Sequence, residues 1–259
     1  MGSIMSLVYS LLIWFFILAL TIYFLFKLAF VQSIAKSLLK KFLAWDTSRL
    51  AKNKAQQKDI QKMNQELFSS MEEVIEQVGG GPVLELGAGS CANLEHYPKG
   101  VRLMTIDLNE NFKSYLNESL EKNKHVTLEK YLIGNVEDMS GLIADNSCSC
   151  VVSSLLLCCV QDQTKALNEI MRVLKPGGRF YFKEHIAAER GTWTRYAQET
   201  MNDTWAALRS NCNVTRNTDK VIGSFGFKGL TASIVYRPIP KMYFFAKKTY
   251  LGYADKPLT

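Results

Sequence analysis

A chain of 259 residues with 47% apolar side chains is long enough for an appended segment plus one domain of ordinary size, and this composition excludes a disordered or low-complexity protein. The formal net charge of +7 is localised, because residues 27–62 hold nine Lys or Arg against two Asp. The rest of the chain then balances at zero, and a neutral main domain argues against nucleic-acid binding.

The first element is an anchor, read over residues 1–31. Ser3 to Phe26 carry no formal charge and are mostly Leu, Ile, Phe, Trp and Tyr. Such a run spans roughly 36 Å as a helix, enough for a bilayer core with some tilt. A cleaved signal peptide has an apolar region of about 7–15 residues and a basic start. This run is longer and has neither a basic start nor a small-x-small cleavage site. It spans the bilayer or enters it as a monotopic hairpin; Tyr9, Trp14 and Tyr23 do not decide. Residues 32–62 form a basic juxtamembrane linker suited to anionic headgroups on the cytosolic side. The bland alternative is a solvated linker.

The main domain is expected over 63–259. From Gln56 to Val78 the spacing of Ile60, Met63, Leu67, Met71, Val74, Ile75 and Val78 predicts one helical face, closed by Gly79-Gly80-Gly81. Strands are expected at 83–86, 101–106, 126–132, 149–154, 178–184, 229–236 and 241–248. Helices fall near 90–97, 110–122 and 162–174. Alternation of strand and helix implies a parallel sheet with right-handed crossovers. The last two strands, joined by Pro238-Ile239-Pro240, read as an antiparallel pair. Residues 187–213 carry Trp193, Tyr196, Met201, Trp205 and Leu208 at three- and four-residue steps. That pattern predicts a helical insert, either packed on the core or acting as a lid over an apolar substrate.

The chemistry centres on Val83-Leu84-Glu85-Leu86-Gly87-Ala88-Gly89. A short apolar run bearing an acid leads into Gly-x-Gly, and Asp107 closes the next apolar run, 18 residues after Gly89. This is how a Rossmann-type unit holds a nucleoside. Dinucleotide enzymes place a pyrophosphate at the following helix N-terminus. Glu85, two residues before the first glycine, instead suits the ammonium group of S-adenosylmethionine, which has no phosphate. S-adenosylmethionine is therefore the expected cofactor.

Met171-Arg172-Val173-Leu174-Lys175-Pro176-Gly177-Gly178 then ends a helix, turns the chain and starts a strand. With it, residues 83–185 resemble the class I S-adenosylmethionine-dependent methyltransferases. The implied fold is α/β and Rossmann-like: a seven-stranded, mostly parallel sheet with an antiparallel last strand, after an N-terminal membrane-anchor helix.

Nearly the whole chain resembles the membrane-anchored, methyltransferase-like thiol S-methyltransferases. The matching features are the apolar anchor, the run from Leu84 to Asn93, Tyr97-Pro98, Glu137-Asp138-Met139, Leu155 to Val160, Glu184-His185, and Gly191-x-Trp193. One departure is Cys91, where the family usually has a third glycine. The resemblance implies methyl transfer to small lipophilic alkyl thiols at the endoplasmic reticulum membrane or lipid droplets. It implies Glu85, Gly87 and Gly89 against the methionine moiety, and Asp107 with Asn109 at the ribose. Glu137 and Asp138 would meet the adenine, and Leu155 would lie beneath the sulfonium. His185 is the candidate base, with a structural histidine as its alternative. Cys158, Trp193 and Tyr196 are candidates for the acceptor site.

The six cysteines contain no Cys-x-x-Cys pair, so no metal is expected and a reducing compartment is implied. Sequons at Asn117, Asn202 and Asn213 would meet the glycosylation machinery in a lumen. Together with the positive-inside rule, a cytosolic domain is expected. The competing readings are an O- or C-methyltransferase acting on a quinone, phenol or sterol-like acceptor, and an inactive membrane-tethered lipid-droplet scaffold.

Overall fold

A computed structural model describes residues 14–258 except 19, 26, 32, 35, 36, 39, 40, 43, 44, 46–53 and 90. The chain divides into two compact units after Phe42. In the first, Trp14–Val31 is a helix long and apolar enough to cross a membrane. The Thr21 hydroxyl donates to the Ile17 carbonyl at 2.8 Å, so that polar group is satisfied within the helix. The part of the expected anchor before Trp14, Tyr9 included, lies outside the described residues, as does much of the basic linker.

The second unit is built on a seven-stranded sheet: β1 (Val83–Leu86), β2 (Val101–Asp107), β3 (Val126–Ile133), β4 (Cys148–Ser154), β5 (Leu174–His185), β6 (Lys228–Tyr236) and β7 (Lys248–Asp255). Their order is β3-β2-β1-β4-β5-β7-β6. Neighbouring pairs from β3 through β5 are parallel, and β7 runs antiparallel to both β5 and β6. The carboxyl ends of β1, β2, β4 and β5 therefore lie along one edge, and ligands of such sheets bind beyond that edge.

Alternation along the strands supplies both faces of the core. Leu84, Leu86, Val151, Phe180 and Phe182 pack with Ala166, Leu167, Ile170 and Val173 of the helix Gln163–Val173. Val83, Cys150, Val152 and Tyr181 pack on the other face with Leu67, Phe68, Met71 and Val74. The parallel register demands close contact at Gly178. A Cβ there would lie 2.8 Å from the Ser149 carbonyl oxygen and 2.9 Å from that of Lys175, so only glycine fits.

Several expected boundaries move. The helix expected over 56–78 is two helices, α1 (Lys54–Phe68) and α2 (Met71–Gln77). Between them the Ser69 hydroxyl donates back to the Glu66 carbonyl at 2.8 Å, competing with the helical ladder. Of the helix expected at 90–97, residues 91–97 are a set of turns with a single 3-10 turn at Leu94–His96, and 110–122 opens with a 3-10 turn before α3 (Lys113–Lys122). The helix expected near 162–174 is α4 (Gln163–Val173), whose first turn is capped by the Asp162 carboxylate.

The strand expected at 241–248 is a correction. Residues Lys241–Ala246 form a 3-10 stretch after Pro240, and the last strand is Lys248–Asp255. The apolar run at 243–246 serves a different burial: Phe245 and Ala246 pack beneath the insert rather than in the sheet. The insert itself holds α5 (Trp193–Leu208). A short helix α6 (Thr218–Gly223), absent from the expected elements, follows it.

Candidate active site

Strand β1 delivers Glu85 to the sheet edge, and the chain then turns through Gly87 (φ +57°) and Gly89 (φ +53°). A Cβ on Gly87 would come within 2.6 Å of the Leu156 side chain, so the bare backbone here lets the loop after β4 approach. Strand β2 delivers Asp107. Its Oδ2 accepts the Gly89 N–H at 3.2 Å and its Oδ1 the Asn109 N–H at 2.8 Å. Each oxygen keeps a lone pair, an acceptor set suited to two donating ribose hydroxyls. Burial pushes the Asp107 carboxyl up, and the N–H groups of Asn109, Gly89 and Leu108 oppose the rise. Asn109 has a structural task too: its side chain accepts the Asn111 N–H at 3.2 Å and caps the following turn.

Cys91 adopts φ +50° while its side chain is fully buried. The position is therefore a left-handed one, and cysteine holds it at a strain of about 1 kcal/mol that glycine would not carry.

Glu85 sits in a network that motif reading had not assembled. Its Oε1 accepts Asn93 Nδ2 at 2.7 Å and its Oε2 accepts the Tyr97 hydroxyl at 3.0 Å. Asn93 also donates to Ser154 Oγ at 3.1 Å, joining β1 to the end of β4. Lys183 Nζ, buried near the end of β5, donates to Asn64 Oδ1 of α1 at 2.8 Å. Burial raises the Glu85 carboxyl to about 7, against the pull of Asn93, Tyr97 and Lys183. Burial likewise lowers Lys183 to about 7, and nearby Arg237 adds to the fall.

Glu184, which precedes His185 at the end of β5, has a role that the motif does not reveal. Fully buried, it accepts the Ser153 hydroxyl at 2.6 Å and the backbone N–H groups of Leu156 and Cys158 at 3.1 and 3.3 Å. Its carboxylate shapes the turn after β4, where Leu155 takes φ +59°.

Other expected residues are engaged differently. Glu137 accepts the N–H groups of Gln161 and Asp162 at 2.8 and 3.1 Å, tying two loops at the sheet edge. Asp138 is exposed and accepts the Ser140 hydroxyl and N–H, which hold its carboxyl below the usual range. His185, expected as a base open to the acceptor, is only 5% exposed and both of its ring nitrogens are engaged. Nδ1 lies 3.2 Å from Cys212 Sγ, and Nε2 lies 3.4 Å from Arg237 Nη1. Trp193 and Tyr196 are 84% and 64% exposed and pair edge-to-face with each other. The insert aromatic that turns inward is Trp205, which packs against Cys158, Cys212 and Phe245.

An acid-bearing first strand, a glycine turn and an acid-tipped second strand, on a sheet whose last strand in the chain is reversed, define the class I methyltransferase fold. A family model described as "Methyltransferase domain" matches residues 84–182. The chain is 38% identical over 189 residues to the Homo sapiens thiol S-methyltransferase TMT1A, covering 71% of this chain and 77% of that protein. It is 35% identical over 206 residues to the Mus musculus thiol S-methyltransferase TMT1B, covering 80% of this chain and 82% of that one. Among solved structures, the CurJ carbon methyltransferase superposes with a TM-score of 0.58 at 16% identity, covering 82% of this chain and 57% of that one. The chain belongs to the thiol S-methyltransferase family of S-adenosylmethionine-dependent methyltransferases. The bare Gly87–Gly89 turn and the part-satisfied Asp107 carboxylate fit that cofactor.

Proposed function

We propose that this enzyme methylates the thiol of small lipophilic acceptors at a membrane surface. The observation that carries the reading is the similarity to thiol S-methyltransferases over 77% and 82% of their lengths. S-adenosylmethionine supplies a methyl group already activated as a sulfonium. Asp107 and Asn109 hold the ribose, Glu85 faces the ammonium, and Gly87 and Gly89 let the backbone close on the methionine moiety. Glu137 and Asp138 border the adenine. Leu155, held in its unusual conformation by the Glu184 network, forms the floor beneath the reacting sulfur.

The acceptor needs orientation more than chemical force. A thiolate is a strong nucleophile, free thiols ionise near ~8.5, and in-line positioning supplies most of the acceleration. Both nitrogens of His185 are engaged, so the histidine is not free to take the acceptor's proton. Cys158 lies beneath the acceptor, and the exposed Trp193–Tyr196 pair meets its apolar tail.

The helix Trp14–Val31 supports a membrane anchor, the lysines that follow it support a cytosolic domain, and the family resemblance supports the endoplasmic reticulum or lipid droplets as its place. A panel of thiol, phenol and quinone acceptors with labelled methyl donor tests the substrate class. Methylation of the alkyl thiols alone is expected; preference for a phenol or quinone would overturn the reading. Removing residues 1–31 is expected to release the enzyme from membranes while activity on a soluble thiol persists.

A further inference from the structure

The turn after β4 places Cys158 and Cys159 side by side, and the segment after α5 brings Cys212 to them across 54 residues. Cys158 Sγ lies 3.7 Å from Cys159 Sγ and 3.4 Å from Cys212 Sγ. All three sulfurs fall within 4.8 Å of one another. None is in a disulfide, and 3.4 Å is far beyond the ~2.05 Å of an S–S bond. In a tetrahedral zinc site with Zn–S near 2.3 Å, sulfurs stand ~3.8 Å apart. The two separations on Cys158 lie within a few tenths of an ångström of that edge.

The surroundings complete the pattern. Cys158 and Cys212 are buried, whereas Cys159 and the adjoining Leu155 are only partly so. Arg237 has only donors, so its contact with His185 Nε2 leaves the ring proton on Nδ1. Nδ1–H then donates to Cys212 Sγ at 3.2 Å, the outer-shell contact that orients and steadies a thiolate ligand. Three thiolates and one divalent cation carry a net charge of −1, or −2 with a fourth thiolate bound, and the Arg237 guanidinium beside His185 offsets one of these charges.

We propose that Cys158, Cys159 and Cys212 bind a zinc ion as a trithiolate, with His185 and Arg237 as its outer shell and the acceptor thiol as its fourth ligand. Three protein ligands with one open position is the arrangement of catalytic rather than structural zinc. The fourth-ligand assignment rests on the thiol-methyltransferase reading; the metal site does not. An acceptor RSH that enters the open position loses its proton to water and binds as a thiolate, available at neutral pH. Its sulfur lone pair forms the new S–CH3 bond as the donor's CH3–S⁺ bond breaks, and that electron pair stays on the donor's sulfur. The thioether product is neutral, a weaker ligand, and leaves.

The test is the metal content of the full-length protein in detergent after exhaustive dialysis, followed by cobalt substitution. Near one zinc per chain is expected, with at least a tenfold lower content in each of Cys158→Ala, Cys159→Ala and Cys212→Ala. Cys148→Ala, in the core on another part of β4, is expected to retain it. Circular dichroism and S-adenosylhomocysteine binding confirm that each variant is folded. His185→Gln should bind zinc 10–100-fold more weakly. The cobalt form should show a thiolate-to-metal charge-transfer band that shifts when a small alkyl thiol is added. Wild-type metal content no higher than that of a Cys158→Ala/Cys159→Ala/Cys212→Ala protein would overturn the site. Bound metal with a band indifferent to thiol would overturn the fourth-ligand assignment. Bound metal and a shifting band without thiol methylation would overturn only the proposed function.

Discussion

Asn93 Nδ2 donates to Glu85 Oε1 at 2.7 Å, and through the same nitrogen reaches Ser154 Oγ at 3.1 Å. One amide thus couples the acid of β1 to the end of β4, and Glu85 is held in place although it lies in the sheet interior.

Glu85 ionises near 7 in the folded state because of burial, against 4.5 as its ordinary value. Between those pH values the folded chain keeps a proton that the unfolded chain has lost. Stability is therefore fully present below 4.5 and falls as pH rises through 7, by on the order of 3 kcal/mol from this group. Lys183, lowered from 10.5 to about 7, acts oppositely above that point, so stability recovers at alkaline pH. In urea unfolding from pH 5 to 7, Glu85→Gln should lack the decline that the native protein shows. Parallel profiles would refute the assignment.

Asp107→Ala should weaken S-adenosylmethionine binding at least tenfold, since each hydrogen bond to a charged group contributes about 1.5–3 kcal/mol. The variant also frees the Gly89 and Asn109 N–H groups, so a modest loss of stability accompanies it. Titration calorimetry on Asp107→Asn separates the two effects, because that change keeps an acceptor while removing the charge. Affinity unchanged in both variants would make Asp107 a turn cap alone.

Glu184→Ala removes a buried acceptor from Ser153 and from the Leu156 and Cys158 N–H groups. Buried donors left unsatisfied cost about 1–3 kcal/mol each, and the φ +59° of Leu155 loses its support. A fall of several kcal/mol in stability is expected, with methyl transfer reduced beyond any loss of cofactor affinity. Glu184→Gln, which keeps one acceptor, should recover part of both.

Cys91 discriminates strain from packing. Its φ of +50° penalises every side chain, and a β-branched one most. Cys91→Gly relieves strain but empties a buried position, so its stability should stay within about 1 kcal/mol of the native protein. Cys91→Val should lose at least about 2 kcal/mol by thermal unfolding. Equal behaviour of the two variants would show that the backbone there is not the constraint.

Local patterns determined the fold class. The apolar runs that became β1, β2, β4 and β5, the Gly87–Gly89 turn, and the Lys175-Pro176-Gly177-Gly178 stop are each readable because strand burial, positive φ and helix termination depend on neighbours in the chain. The place of Asp107 was legible for the same reason: it ends a strand that runs beside β1. What tertiary structure decided is wherever burial comes from a distant partner. Phe245 reads as strand but turns under the insert, because its contacts are Trp205 and Cys212 rather than a ladder. Lys183 and Asn64 meet across 119 residues, and Cys158 meets Cys212 across 54. No spacing rule joins such residues. The sheet edge brings them together, and only there do a lysine, a glutamate and three thiols acquire the surroundings that set their charge.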